Sequence, residues 1–191
     1  MDTMQYTHLY RSPLGTITLA ADSEGLTGLW FEGQKYFAAT LDARHEETML
    51  PIFEQTRRWL DNYFGGNDPG PTPPLHLQGS PFRLAVWEIL RQIPFGKTIT
   101  YGEIAREIAR RQGSKTVPAQ AVGGAVGHNP VSIIVPCHRV VGSNGSLTGY
   151  AGGIERKVRL LALEKAEGVC EDDRFLFCIQ FVYFCSTYQR G

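Results

Sequence analysis

Residues 131–141 read VSIIVPCHRVV, an apolar β-type run interrupted by Pro136, Cys137, His138 and Arg139. The thiolate, not the thiol, is the nucleophile, and a free cysteine has a pKa of about 8.5. Cys137 is expected at the end of a buried strand, fixed by the preceding proline and flanked by a histidine and an arginine, where positive charge would stabilise the thiolate. A lone buried cysteine is ordinarily inert packing. Adjacent His and Arg in so apolar a run weigh against that reading. On a strand, neighbouring side chains point to opposite faces, so His138 would reach the thiol only through a bend or a water.

Elements on both sides must hold this segment in place. The first 33 residues alternate β-rich runs with turns (Gln5 to Tyr10, Thr16 to Ala20, Leu26 to Phe31), which predicts an antiparallel meander. Ile52, Phe53, Trp59, Leu60, Tyr63 and Phe64 recur near helical spacing before Gly65-Gly66, predicting one amphipathic helix on that sheet. Asn67 to Pro74 carries four prolines and Gly70 and reads as an interdomain linker. Beyond it, Ser80-Pro81 opens a helix that Pro94 and Gly96 close. Thr100 with Glu103 forms a capping-box signature for a short second helix, and a third is expected from about Pro118 to Val126. Two short helices joined by a turn fit a helix-turn-helix unit, a pattern of low specificity by itself. Gly123-Gly124 inside the third helix costs about 1 kcal/mol per glycine relative to alanine. Small residues at Ala121, Gly124, Ala125 and Gly127 would admit either a nucleic-acid groove or a neighbouring helix.

The string Pro136-Cys137-His138-Arg139-Val140 resembles the active-site motif of the alkylguanine-DNA alkyltransferases, also called methylated-DNA-protein-cysteine methyltransferases. The resemblance runs through Ser80 to Trp87, Phe95 to Tyr101, Ala121 to Ala125, Asn129-Pro130, Val131 to Val141, and Gly149 to Gly153, reaching Leu163-Glu164. It implies an α+β fold: a small N-terminal antiparallel sheet plus helix (ribonuclease H-like) domain over 1–78, then a mostly helical winged helix-turn-helix domain over 79–168. The first segment, matched more loosely, is expected to contribute architecture rather than chemistry.

By the same resemblance, Cys137 is the nucleophile that takes a methyl or other alkyl group from the position-6 oxygen of guanine in double-stranded DNA, in a single irreversible turnover. His138 takes the thiol proton through a bridging water, Glu164 orients His138, and Tyr101 donates to a ring nitrogen of the departing guanine. The backbone of Cys137 and Val140 and the loop at Tyr150 and Ala151 would line the base pocket, and Asn129 would brace the turn carrying Cys137. Arg139 would support the fold or touch phosphate. The third helix, through Gln120, Ala121, Gly124 and Ala125, with Tyr101, would hold the duplex while the damaged nucleotide is rotated out. Gln120 stands where many relatives carry an arginine that fills the gap left by the base, and the loop Arg111 to Thr116 is longer than the family's pattern. No cofactor and no metal is implied.

Composition bounds the rest. At 42% hydrophobic and 20% charged, the 191 residues fit an ordinary globular protein. No apolar run approaches the roughly 20 residues of a membrane span, and MDTMQYTHLY lacks the features of a signal peptide, so a cytoplasmic monomer without membrane contact is expected. Of the four cysteines, three (Cys170, Cys178, Cys185) crowd the C-terminus, with no CxxC pair to suggest zinc. Net charge is zero, yet residues 1–78 hold five Lys/Arg against ten Asp/Glu while residues 79–166 hold twelve against five. That split points the second segment at a polyanion. The tail over 169–191, dense in aromatics, matches nothing in the family pattern and is assigned no role. Two other readings stand beside repair: a non-enzymatic helix-turn-helix binder or sensor of alkylated DNA, which would not need the thiol, and a thiol hydrolase built on Cys137.

Overall fold

The computed structural model describes residues 4–167. The three C-terminal cysteines and the aromatic tail lie outside the described residues. The architecture is α+β. Strands β1 (Gln5–Ser12), β2 (Gly15–Ala21) and β3 (Leu26–Phe31) form the expected antiparallel meander. A short fourth strand, β4 (His45–Glu47), adds to β1 in parallel, so the sheet has the order β3-β2-β1-β4 and is not purely antiparallel. Nothing in the three residues His45, Glu46 and Glu47, all exposed, advertises a strand by periodicity.

Helix α1 (Pro51–Phe64) starts on a proline, whose missing N–H costs nothing at the first helical position. It turns Phe53, Trp59, Leu60 and Tyr63 into the core that also holds Ile17, Leu19 and Phe31 of the sheet. The proline-rich segment 67–74 does not hang free at its end. Leu26 N–H donates to the Pro74 carbonyl at 2.9 Å and His76 N–H to the Leu26 carbonyl at 2.8 Å, so the chain leaves the first unit along the edge of β3.

The second unit begins with α2 (Pro81–Arg91), capped by the Ser80 hydroxyl. Short strand β5 (Ile99–Thr100) leads into α3 (Tyr101–Gln112), whose capping box is reciprocal: Thr100 Oγ1 accepts from Glu103 N–H and Glu103 Oε2 accepts from Thr100 N–H. Arg111 and Gln112 continue this helix, so the expected long loop begins only at Gly113, which ends it in the left-handed conformation (φ 63). Helix α4 (Ala119–Gly127) follows, then β6 (Val140–Val141), which pairs in parallel with β5, and α5 (Ile154–Leu163).

Residues 131–136 are the main departure from the sequence-based expectation. They form no strand. Val131 makes one bridge to Leu29 at the edge of β3, and turns follow, with Ile134 N–H on the Ser132 carbonyl and Cys137 N–H on the Val135 carbonyl, each at 2.8 Å. Ile133 sits at φ 68, a conformation that costs a β-branched residue about 1–3 kcal/mol. An unbroken apolar run reads as a strand only while its backbone is free to pair. Here the core buries these side chains while the backbone turns, and the edge of β3 and the side chain of Asn129 take up its polar groups.

Candidate active site

Cys137, His138 and Arg139 form one turn of 3-10 helix, all three buried. With three residues per turn, successive side chains diverge by about 120° rather than alternating across a strand, so the alternation expected for Cys137 and His138 does not apply. Asn129, at the end of α4, grips this turn. Its Nδ2 donates to the Val135 carbonyl at 2.7 Å, to the Val131 carbonyl at 3.2 Å and to Cys137 Sγ at 3.1 Å, while its Oδ1 accepts from Val131 N–H at 3.0 Å.

Glu164, just past α5, collects donors from four places. Its Oε1 accepts from Tyr63 Oη at 2.6 Å, His138 Nε2 at 2.7 Å and Arg139 Nη2 at 3.0 Å; its Oε2 accepts from Arg139 Nε at 2.8 Å and Gly96 N–H at 3.2 Å. Burial alone would raise the pKa of this carboxyl, but His138 and Arg139 outweigh it and hold Glu164 well below the usual carboxylate range. Burial lowers the pKa of His138 despite Glu164, so the ring is neutral near pH 7. With Nε2–H donated to the carboxylate, this network assigns the lone pair to Nδ1, and Nδ1 has no hydrogen-bond partner among the described residues. Arg139 is spent on Glu164 and on the Ile93 carbonyl (2.7 Å); it supports the fold and is too buried to meet phosphate.

The thiol answers to the same physics, and here the sequence expectation needs correcting. Burial pushes the Cys137 thiol up, against the opposing pull of the Asn129 hydrogen bond and the Lys157 charge. The adjacent His138 is uncharged and the charge of Arg139 is taken by Glu164, so neighbouring positive charge does not make a standing thiolate. The resting pair is a neutral thiol and a neutral imidazole.

Cys137 opens into a cavity of about 320 Å³. Its lining comes from Tyr101, Gly123 and Gly124, from Gly149, Tyr150 and Ala151, and from Lys35, Tyr36 and His128. Tyr101 Oη donates to the Thr148 carbonyl at 3.3 Å. A Cβ at Gly152 would lie 2.5 Å from Tyr150 Cε1, which explains a glycine beside that ring. At Gly124 a Cβ would meet nothing within 4 Å, so this glycine is not required by packing within the protein and faces the cavity.

Two expected site residues are placed otherwise. Ala125 is buried and its carbonyl accepts from Trp87 Nε1 at 2.9 Å, because the 3.6-residue period sends Val122, Ala125 and Val126 inward while Gln120, Ala121 and Gly124 stay exposed. Ala125 therefore cannot touch DNA. Val140 is fully buried and does not line the cavity; its N–H is on the Cys137 carbonyl and its own carbonyl accepts from Lys157 Nζ at 2.6 Å.

Several residues escaped the sequence reading. Lys157, wholly buried on α5, also donates to the Thr148 carbonyl at 2.8 Å and so ties the cavity loop to the turn of Cys137. Burial lowers its pKa to about 8. The only mark in the sequence is a lysine within an apolar helical stripe. Lys35, Tyr36 and Tyr63 come from the first unit, so residues 1–78 supply more than architecture. Tyr36 stacks on His128 with ring centroids 4.0 Å apart, and Lys35 N–H donates to the Ala151 carbonyl at 2.9 Å. The basic excess of the second segment is partly consumed: Arg110 and Arg111 pair with Glu107, Lys97 with Glu167, and Arg139 with Glu164, leaving Arg106 and Lys115 among the exposed cations.

Two family models divide the chain between them: the ribonuclease-like domain of 6-O-methylguanine DNA methyltransferase matches residues 5–75 and its DNA-binding domain residues 81–166. The chain belongs to the 6-O-methylguanine DNA methyltransferase family. Within that family, the methylated-DNA–protein-cysteine methyltransferase of Haemophilus influenzae is 42% identical over 86% of this chain and 88% of its own length. The same-named protein of Methanosarcina acetivorans is 42% identical over 83% and 97%. Among solved methyltransferases, Mycobacterium tuberculosis OGT in complex with DNA is similar at a TM-score of 0.72 with 39% identity, covering 90% of this chain and 99% of that one. Among the described residues no cluster of side chains is placed to hold a metal ion, and no helix is long and apolar enough to cross a membrane.

Proposed function

We propose that this methyltransferase repairs double-stranded DNA by moving a methyl or other alkyl group from the position-6 oxygen of guanine onto Cys137 Sγ. The observation that carries the reading is the chain of contacts inward from the cavity: Cys137 in its lining, and next to it a neutral His138 whose Nε2 is bound to an ionised Glu164. The thiol proton passes through a water to His138 Nδ1 as Sγ attacks the alkyl carbon in line with the breaking carbon–oxygen bond. The electron pair leaves with guanine. Tyr101, whose hydroxyl pKa burial raises, stays protonated and donates to a ring nitrogen of that anion after leaving the Thr148 carbonyl.

The loop at Tyr150 and Ala151 holds the everted base, and Gln120, Ala121 and Gly124 on the exposed face of α4 hold the opened duplex from the minor groove. Asn129 keeps Sγ aimed at the cavity. The two units fall at 1–78 and 79–168. The protein acts as a monomer in the cytoplasm, where a reducing environment keeps the thiol free. Buried catalytic groups assembled under one cavity favour transfer over a binder or sensor that needs no thiol. A thioether cannot be hydrolysed readily, which separates this reaction from a thiol hydrolase. Titrating the protein with duplex DNA carrying labelled methylguanine tests it: one methyl group per protein molecule and then none is expected, and continued turnover contradicts it.

A further inference from the structure

Tyr63 belongs to α1, far in sequence from the reactive turn, yet it ends inside the proton-handling network. Its side chain is completely buried, its ring stacked on Trp59 (centroids 5.6 Å apart, planes at 5°) and set edge-on to Phe95. Its hydroxyl donates to Glu164 Oε1 at 2.6 Å, the oxygen that also accepts from His138 Nε2, and it lies 3.3 Å from that nitrogen. A buried phenol needs a partner somewhere, but a core offers many backbone carbonyls. This one is spent on the carboxylate that orients the histidine.

We infer that Tyr63 is a positioning residue for alkyl transfer: by sharing Glu164 Oε1 with the imidazole, its hydroxyl fixes where the carboxylate stands and how strongly it holds a proton on His138. The inference rests on the proposed transfer to Cys137. A carboxylate that already satisfies a phenol has less charge left for the ring, so the imidazolium is less favoured and Nδ1 remains an open base at lower pH. The other groups facing this cluster are Arg139 beside Glu164, Lys157 from α5, Tyr150 from the cavity side, with Arg156 of α5 acting on Tyr150 by charge, and Cys137 itself. Arg139 and Lys157 also disfavour the imidazolium, but among the described residues Tyr63 alone brings a group from the first unit onto Glu164. The N-terminal unit then sets the working pH of the chemistry carried by the second.

The test is the pH dependence of single-turnover methyl transfer from a duplex carrying methylguanine, for the full chain, its Tyr63→Phe variant and a chain with 3-fluorotyrosine at position 63 alone. Tyr63→Phe should slow transfer roughly tenfold and move the acid limb up by about half a pH unit, with DNA affinity unchanged. Fluorination makes the hydroxyl a stronger donor and should move the limb the other way, which keeps the test alive if the phenylalanine variant fails to fold. Identical rates and limbs in all three proteins, or limbs moving in the same direction, overturn the inference. Absence of transfer in the unmodified chain would remove the parent reading with it, whereas transfer with no effect at position 63 removes only the role of Tyr63.

Discussion

Asn129 Nδ2 stands 3.1 Å from Cys137 Sγ and 2.7 Å from the Val135 carbonyl, so one amide holds both the reactive atom and the strained turn that carries it. Asn129→Ala should leave the Val131 N–H buried without a partner, while the Val135 carbonyl keeps only the Cys137 N–H, a loss of about 1–3 kcal/mol for the orphaned group. Chemical denaturation measures that loss. Methyl transfer by the fraction still folded should also slow, because the thiol loses its donor and its aim. A variant as stable and as fast as the parent would contradict this role.

Glu164→Gln keeps the shape of the side chain and removes its charge. Arg139 then becomes a buried cation without its counter-ion, which costs about 3–5 kcal/mol, and His138 is left with a neutral amide oxygen at best in place of the charged acceptor that fixes its tautomer. Melting should shift down steeply, and transfer should fall by about 10²-fold or more even where the protein remains folded. Unchanged transfer would show that His138 needs no orientation from Glu164.

Stability should fall as the pH drops. His138 in the unfolded chain titrates near 6.5 but is held lower when folded, so below that pH the unfolded state binds more protons and folding weakens. Glu164, normally near 4.5 and held far lower by His138 and Arg139, adds a second loss as the pH falls through the ordinary carboxylate range. Denaturant melts between about pH 7 and pH 4 should record both steps. His138→Gln should remove the upper one.

Lys157→Met removes a buried donor to the Val140 and Thr148 carbonyls, and with it the tie between the cavity loop and the reactive turn. A loss of about 2–3 kcal/mol is expected from the charged hydrogen bonds. The lining at Tyr150 and Ala151 should loosen, raising the DNA concentration needed for half-maximal transfer rate. Equal half-saturation in parent and variant would confine Lys157 to folding.

Gln120 lies exposed on α4. Gln120→Arg adds a cation where the duplex is proposed to lie. Binding should tighten several-fold, and the salt dependence should steepen by about one counter-ion. An unaltered salt slope would place position 120 away from phosphate.

Helix starts, the meander and the cysteine motif were legible because each has a local signature: Ser80-Pro81, the Thr100–Glu103 box, and β-rich runs separated by turns over β1 to β3. What was hidden depends on long-range contact. Residues 131–136 carry the composition of a strand, yet Asn129 and the edge of β3 satisfy their backbone as turns. Ala125 belongs to a run of small residues, and only the phase of α4 against Trp87 buries it. Tyr63 reads as one more apolar position on α1 until the fold brings Glu164 within 2.6 Å of its hydroxyl. The expected thiolate failed first because burial disfavours the charged sulfur, and the positive charge of Arg139, adjacent in sequence, is already claimed by the buried Glu164.

The proposed repair reaction requires that one sulfur accept the alkyl group and keep it. Mass spectrometry of the intact protein after exposure to duplex DNA containing methylguanine, followed by peptide mapping, tests this most directly. The expected result is a mass increase of a single methyl group, located on Cys137 and absent from a Cys137→Ala chain that still binds the same DNA. Demethylated DNA with an unmodified Cys137, or a methyl group on another residue, would contradict it.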